Sequence, residues 1–366
     1  MTKGHCCDWI STLPDSILCF ILSFLSTKQA AATSVLSKRW QPLWRSVPTL
    51  DLDDSIYYDR AKQGHARLVQ PVSALVHLHH PIYKFRLRCI SPFTDPANIT
   101  TWVNAVVQRG GLQHLDLSID RKYREPHINL SSIFSCKTLV VLKLRGSKIT
   151  KLEPISSVYL PSLQVLHLQG LTFSEFGCLA KLLYGCPVLK DFKESHLLFE
   201  NDFLIDEDIV TDIEFKALPK LLKADISDFH TKIMLEVVNN VKFLHIDEID
   251  GILVEGTSPY IFPMFHNLTH IELEYSYYYY NNDWSEVVEL LKSCPMLQVL
   301  VIYQPYFDDH VSDLPQETVY PPSMLHLKRC TEERFKFARY ITEDSKEDDN
   351  MQWHWGRLEP VVSELK

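Results

Sequence analysis

Three histidines, His77, His79 and His80, and the triplet Asp308-Asp309-His310 come closest in this chain to residues arranged for chemistry. Imidazoles at alternate positions of a strand could hold a transition metal, and a carboxylate beside an imidazole could relay a proton. Neither set closes. The histidines have no cysteine or carboxylate partner at ligand spacing, and the side chains of three consecutive residues diverge in what reads as a loop. The chain has no phosphate-cradling GxxxxGK, no GxSxG nucleophile elbow and no HExxH zinc helix. Its nine cysteines are odd in number and lack a CxxC pair, which reads as reduced thiols rather than a zinc site or a disulfide framework. No catalytic residue, metal or cofactor is expected, so the chemistry left to this sequence is recognition.

The candidate recognition residues sit on a phrase that keeps returning: apolar, two variable positions, then apolar-variable-apolar. It appears as Ile82-Phe85-Leu87, Leu112-Leu115-Leu117, Leu139-Leu142-Leu144 and Leu163-Leu166-Leu168. It weakens at Leu189-Phe192, then returns as Leu221-Ala224-Ile226, Val241-Leu244-Ile246, Leu268-Ile271-Leu273 and Leu297-Leu300-Ile302. A spacing of roughly 20 to 30 residues is that of a solenoid in which each repeat supplies one strand. Cys136, Cys186 and Cys294 stand three residues before an opening leucine, and Pro161 and Pro219 precede Leu163 and Leu221, so a helix-turn-strand unit is expected. The helical spacing in residues 176–184 and 284–292 would form the outer side.

Side chains alternate along a strand, so residues between the inward leucines share the open face. Those are Arg86, Asp116, Lys143, His167, Asp225, His245 and Glu272, with Arg88, Arg145, Asp247 and Glu274 one step beyond. The early strands carry Arg86, Arg88, Lys143 and Arg145, whereas the later ones carry Asp225, Asp247, Glu272 and Glu274. A concave surface with a basic end and an acidic end is expected, selecting a target of complementary charge. Tyr275 to Tyr280, interrupted by Ser276, follow a core strand as an interaction patch or an aromatic loop.

A separate element precedes the repeats. Pro14 suits a first helical position, and Ile17, Leu18, Ile21, Leu22, Phe24 and Leu25 recur at helical spacing over more than one narrow face. Thr27 is the expected N-cap of a second helix through Ala30, Ala31, Ala32 and Val35, with Leu36, Trp40, Leu43 and Trp44 crowding its end. Three such short helices leave large apolar groups uncovered unless a partner or the next domain packs on them.

The run Leu13-Pro14-Asp15, Ile21-Leu22-Ser23-Phe24-Leu25, Thr33 to Trp40 and Leu43-Trp44 resembles the F-box in its plant form. That resemblance implies docking on a Skp-type adaptor, and through it a cullin and a RING subunit of an SCF ubiquitin ligase. Leu13, Pro14, Ile17, Leu18, Ile21, Leu22, Leu25, Leu36 and Trp40 would then make or support the contact. The body resembles plant leucine-rich repeats of irregular length. Glu317 to Ser323, Leu325 to Lys328 and Phe335 to Ile341 resemble fragments of the FBD domain that closes such proteins, with its strand between Leu327 and Phe335 nearly absent. The expected fold is thus α/β: a small three-helix F-box, then a repeat solenoid of parallel strands and helices with a divergent C-terminal cap.

Residues 1–7 are expected as a tail, 8–48 as the F-box, 49–80 as a linker and the start of the solenoid, and 81–306 as the repeats. Residues 307–342 form the shortened FBD-like region, and 343–366 an acidic, partly disordered tail in which Trp353 and Trp355 could pack back on the last repeat. A net charge of -9 without a sustained basic stripe argues against nucleic acid, and no apolar run reaches membrane-crossing length. Without a signal-type segment before Asp8, the chain is expected in the nucleus or cytoplasm, and the glycosylation triplets at Asn98, Asn129 and Asn267 are chance matches. The resemblance implies a non-catalytic receptor that holds an unknown protein substrate. The alternatives are a Skp-bound scaffold or decoy, separated by cullin co-purification, and a small-molecule-gated receptor, which needs a convergent basic pocket.

Overall fold

The computed structural model describes residues 9–53, 81–89, 96–119, 130–152, 157–199, 216–227, 231–247, 262–274, 290–303 and 329–332. The histidine cluster, the Asp308-Asp309-His310 triplet, the tyrosine run, the acidic tail and the FBD-like fragments lie outside those residues. So does most of the helix expected over 284–292, of which the helical turn at 290–292 is described.

The N-terminal segment folds into more and shorter pieces than three helices. They are α1 (Trp9–Thr12), α2 (Asp15–Leu22), α3 (Thr27–Ala32) and α4 (Trp40–Leu43), with 3-10 turns at Thr33–Val35 and Trp44–Ser46. Pro14 stands one place outside α2, in extended conformation, as its N-cap. Thr27 is not the cap of α3. Ser26 is extended there, its hydroxyl accepts from Gln29 N–H, and the Gln29 side chain takes the Ser26 N–H, which satisfies two otherwise orphaned donors. Thr27, one residue on, is buried, and its hydroxyl accepts the Asp51 N–H at 2.8 Å. Asp51 lies in β1 (Thr49–Asp53), an end strand of the sheet. The helical head therefore covers part of an edge that would otherwise offer unpaired N–H groups.

The returning phrase becomes one parallel sheet. After β1 come β2 (Lys84–Cys89), β3 (His114–Ile119), β4 (Val141–Leu152), β5 (Val165–Phe173), β6 (Asp191–Ser195), β7 (Leu198–Phe199), β8 (Lys223–Ser227), β9 (Phe243–Asp247), β10 (His270–Glu274), β11 (Val299–Tyr303) and β12 (Arg329–Glu332). Among the described residues each strand lies beside the next in chain order, except that β7 pairs with the end of β5 and β6 runs beside β8. The inward positions stack in columns. Phe85, Leu115, Leu142, Leu166, Phe192, Ala224, Leu244, Ile271 and Leu300 form one, all buried.

The cysteines mark the turn that feeds each strand. The N–H of Leu139, Leu189 and Leu297 donates to the carbonyl of Cys136, Cys186 and Cys294, and Leu160, Leu218 and Phe265 play the same part before Leu163, Leu221 and Leu268. The position requires a buried apolar side chain, a role that cysteine fills as a small hydrophobe and leucine or phenylalanine fills as a larger one. Cys186 and Cys294 also donate to the carbonyls of Leu182 and Leu290, and burial pushes both thiols up to about 12. Such thiols are inert at physiological pH.

In the core that the inward columns enter, α5 (Pro96–Gln108) buries Ile99, Trp102, Val103 and Val106 at i, i+3, i+4 and i+7. Helices α6 (Phe176–Tyr184) and α7 (Thr231–Val238) bury Leu179, Leu182, Leu183 and Met234, Leu235, Val238 in the same core. Gly185 ends α6 because nothing larger fits: a Cβ there would stand 2.4 Å from Val158 Cγ1 and 2.9 Å from the Val158 carbonyl.

Two strand expectations change. The phrase weakens at Leu189-Phe192 because Glu194 occupies the next inward position, in register with Leu168. Only 3% exposed, its carboxylate accepts the Ser227 N–H at 3.1 Å, just beyond the last paired residues of β6 and β8. A buried acid is tolerated where backbone hydrogen bonding would otherwise be missing. The C-terminal strand that the sequence made nearly absent is present as β12, whose four residues pair with Val299 to Ile302. A parallel ladder already in place needs only a short segment to extend it.

Candidate functional site

The apolar belt of α2 divides in two. Leu18 and Leu22 lie about 100° and 140° around the helix from Ile17 and are buried, with Ala30, Trp40, Leu43 and Val47, in a small core. Ile17, Phe20 and Ile21 fall on the neighbouring arc and, with Phe24 in the turn that follows α2, are exposed. Phe20 and Phe24 meet edge to face with centroids 5.0 Å apart, which settles two large rings without burying them. Trp9, Ile10, Val35 and Leu36 are exposed as well, the last two at 86% and 64%.

Arg39 fixes the segment that carries Leu36. Its guanidinium donates to Asp15 Oδ1 at 2.7 and 2.9 Å and to the Leu13 carbonyl, so the turn after α3 is tied to the start of α2. Of the nine residues singled out from the sequence, Pro14, Ile17, Ile21 and Leu36 are exposed and Leu13 and Leu25 are half-buried. Leu18, Leu22 and Trp40 are core and support the surface from beneath. Trp9, Ile10, Phe20, Phe24 and Val35 were not singled out for this surface. The spacing of Phe20 and Phe24, three and seven residues after Ile17, is the signal that finds two of them.

The second surface is the open face of the sheet. One row across it reads Asp51, Arg86, Asp116, Lys143, His167 and Lys193, then Asp225, His245 and Glu272. The row beyond reads Asp53, Arg88, Ser118, Arg145 and Gln169, with Asp247 and Glu274 further on. The expected basic end is revised, because Asp51, Asp53 and Asp116 stand among its arginines. Arg86 Nη1 approaches Asp51 to 3.2 Å, Arg88 pairs with Asp53, and Asp116 lies within 4 Å of both Arg86 and Arg145. Exposed pairs of this kind add little stability, but they hold the charges in place and neutralise one another. Residues 49–53 carry the same alternation as the later strands, so β1 and its two aspartates were readable in principle.

The later strands form their own chain of contacts. Lys193 Nζ donates to Asp225 Oδ2 at 2.5 Å, His245 Nδ1 lies 3.0 Å from Asp225 Oδ1, and its Nε2 lies 3.8 Å from Glu274. Burial raises the Asp225 carboxyl, but hydrogen bonds from His245 and Lys193 outweigh it and leave the group below its ordinary value of 3.8. The hydrogen bond to Asp225 raises His245 above 6.5 against the opposing effect of burial, helped by the charges of Asp225, Glu272 and Asp247. Earlier in the row, His167 Nε2 lies 3.4 Å from Asp191 Oδ1, a long contact that nonetheless holds Asp191 low, against burial and with Lys223 and Lys143 nearby.

These shifts give a signed expectation. The contribution of a lowered carboxyl is present above 3.8 and lost as pH falls through its folded value. That of the raised imidazole is complete below 6.5 and lost as pH rises through its folded value. The stability difference between the parent chain and His245→Gln, from urea midpoints at a series of pH values, should therefore be largest in the window between those two values. It should shrink above neutrality; a difference that grew with pH would contradict the pairing.

Two family models match the chain: the F-box domain over residues 10–51, and the LRR repeats described for FBD-associated F-box protein At5g56370 over residues 99–200. F-box/LRR-repeat protein At4g14103 of Arabidopsis thaliana is 36% identical over 265 residues, 67% of this chain and 63% of its own length. F-box/LRR-repeat protein At4g14096 of the same plant is 42% identical over 198 residues, 52% of this chain and 40% of its own. The chain thus spans less than two thirds of either. FBD-associated F-box protein At5g38590, also from Arabidopsis thaliana, is 32% identical over 351 residues, 84% of this chain and 80% of its own.

Proposed function

Because the chain belongs to the plant F-box/LRR-repeat family, we propose that it is the substrate-recognition subunit of an SCF ubiquitin ligase, acting in the nucleus or cytoplasm. The exposed face of α2 and the Val35-Leu36 turn bind a Skp-type adaptor, which brings the cullin and the RING subunit. The repeats hold a target protein and raise its effective concentration near the bound ubiquitin-conjugating enzyme. The chain performs no bond chemistry itself.

The observation that carries this reading is the surplus apolar surface of the helical head. Leu18, Leu22 and Trp40 already fill its core, yet Ile17, Ile21, Phe20, Phe24 and Leu36 remain exposed. Single exposed apolar residues are ordinary, whereas this many on one short helical segment mark a protein interface. A stable one buries on the order of 1,200 to 2,000 Å2.

The test is co-purification of the full chain with a Skp-type adaptor and a cullin. Capture of both is the expected result. Capture of the adaptor without cullin would overturn the ligase role in favour of a scaffold, and capture of neither would overturn the whole assignment.

A further inference from the structure

Most charged groups on the first strands are already engaged with one another, and that isolates a small group that is not. Arg86, Arg88 and Arg145 are taken by Asp51, Asp53 and Asp116. Lys84, His114 and Lys143 stand among them on three adjacent strands. Lys84 is in register with His114, and Lys143 with Asp116 two residues further along β3. All three are on the open face, because Phe85, Leu115 and Leu142 beside them in sequence point inward and are fully buried. Among the described residues the side chains of Lys84, His114 and Lys143 make no hydrogen bond and no ion pair.

We propose that Lys84, His114 and Lys143 anchor an anionic side chain, a phosphoserine or a glutamate, on the target segment held by the repeats. The proposal deepens the reading above and rests on the repeats being the target-holding part.

Three strands span about 10 Å, so the two flexible lysine stems can converge on one anion above β3. The register sets all three side chains close together, and burial first, then the charges of Lys84 and Lys143, lower the His114 imidazole from its ordinary value. Its ring offers an N–H donor beside the two ammonium groups. Val141 and Val165, paired in the same row on β4 and β5, are half-buried and uncharged, and so offer room for the apolar part of a ligand beside the anion site. The later strands place Asp225, Glu272 and Glu274 on the same face, which repels a second anion and sets the direction of an acidic segment along the sheet.

The probe is three degenerate peptide libraries with a fixed central phosphoserine, glutamate or alanine, offered to the full chain purified with its adaptor. The phosphoserine or the glutamate library should be retained roughly tenfold or more above alanine, the scale of one charge-assisted contact, and which of the two wins identifies the anion. Lys84→Glu with Lys143→Glu should remove that preference, and Lys84→Arg with Lys143→Arg should keep it. Lys84→Gln with Lys143→Gln replaces the first variant if charge reversal impairs folding. Equal retention of all three libraries, retention of none, or an unchanged preference in the charge-altered variant would each overturn the proposal. Adaptor capture by the same preparation is read separately, so failure of the anion site is distinct from failure of the ligase reading.

Discussion

Replacing Leu36 by aspartate is expected to abolish capture of a Skp-type adaptor while the repeats stay folded, and Ile17→Asp is expected to do the same independently. Both side chains are exposed, Leu36 at 64% and Ile17 at 44%, so neither change introduces a charge into the core. In a complex the aspartate would be desolvated among apolar groups without a partner. Loss of a central anchor alone costs about 2 kcal/mol or more, and the buried charge adds to it, so affinity should fall by roughly two to three orders of magnitude. Far-ultraviolet circular dichroism and the urea midpoint should match those of the parent chain. Leu18→Ala is the contrasting variant. Its side chain is fully buried under the same face, so binding should fall together with the stability of the helical head, at a cost of about 2–5 kcal/mol. Undiminished adaptor capture by both aspartate variants would remove the apolar face from the interaction.

Trp102→Ala should be the most damaging single change in the repeats, lowering stability by about 3–5 kcal/mol. The indole is 1% exposed and sits on α5 between Ile99, Val103 and Val106, in the core shared by β2 and β3. Those three neighbours are themselves fully buried on the same helix, so they cannot turn into the space it leaves without giving up their own packing. The loss is a large fraction of the about 5–15 kcal/mol that a typical domain has, so a shifted or broadened urea transition at ambient temperature is expected. Because each repeat leans mainly on its neighbours, the first strands should unfold before the later ones, readable as faster amide exchange in β2 and β3 than in β9 and β10. A urea midpoint within error of the parent chain would mean that α5 is not part of the core.

Much of this architecture was legible in the residues. The phrase led by Leu112, Leu139, Leu163, Leu221, Val241, Leu268 and Leu297 is a local pattern, and local spacing alone dictates which side chains share a face. Each of those openings is buried at a strand entry. The head is legible for a similar reason, since Leu13-Pro14, the Ile21 to Leu25 run and Val35 to Trp40 are short and close in sequence. Its N-cap was missed by one residue because Ser26 and Thr27 are both competent caps. Only the approach of Asp51 gives Thr27 a different partner.

What the sequence by itself determined is therefore the repeated strand, the inward and outward sides of each, and an apolar surplus in the first helices, all consequences of backbone periodicity. Tertiary structure alone decided which arc of the α2 belt is buried, since Ile17 and Leu18 are chemically alike and only packing against Trp40 and Leu43 tells them apart. It also decided that Arg86 lies between Asp51 and Asp116, thirty or more residues away in either direction, while Lys84 and Lys143 make no ion pair among the described residues. Charge pairing depends on register between distant strands, and register is set by the stacking of the buried columns rather than by the charged residues themselves.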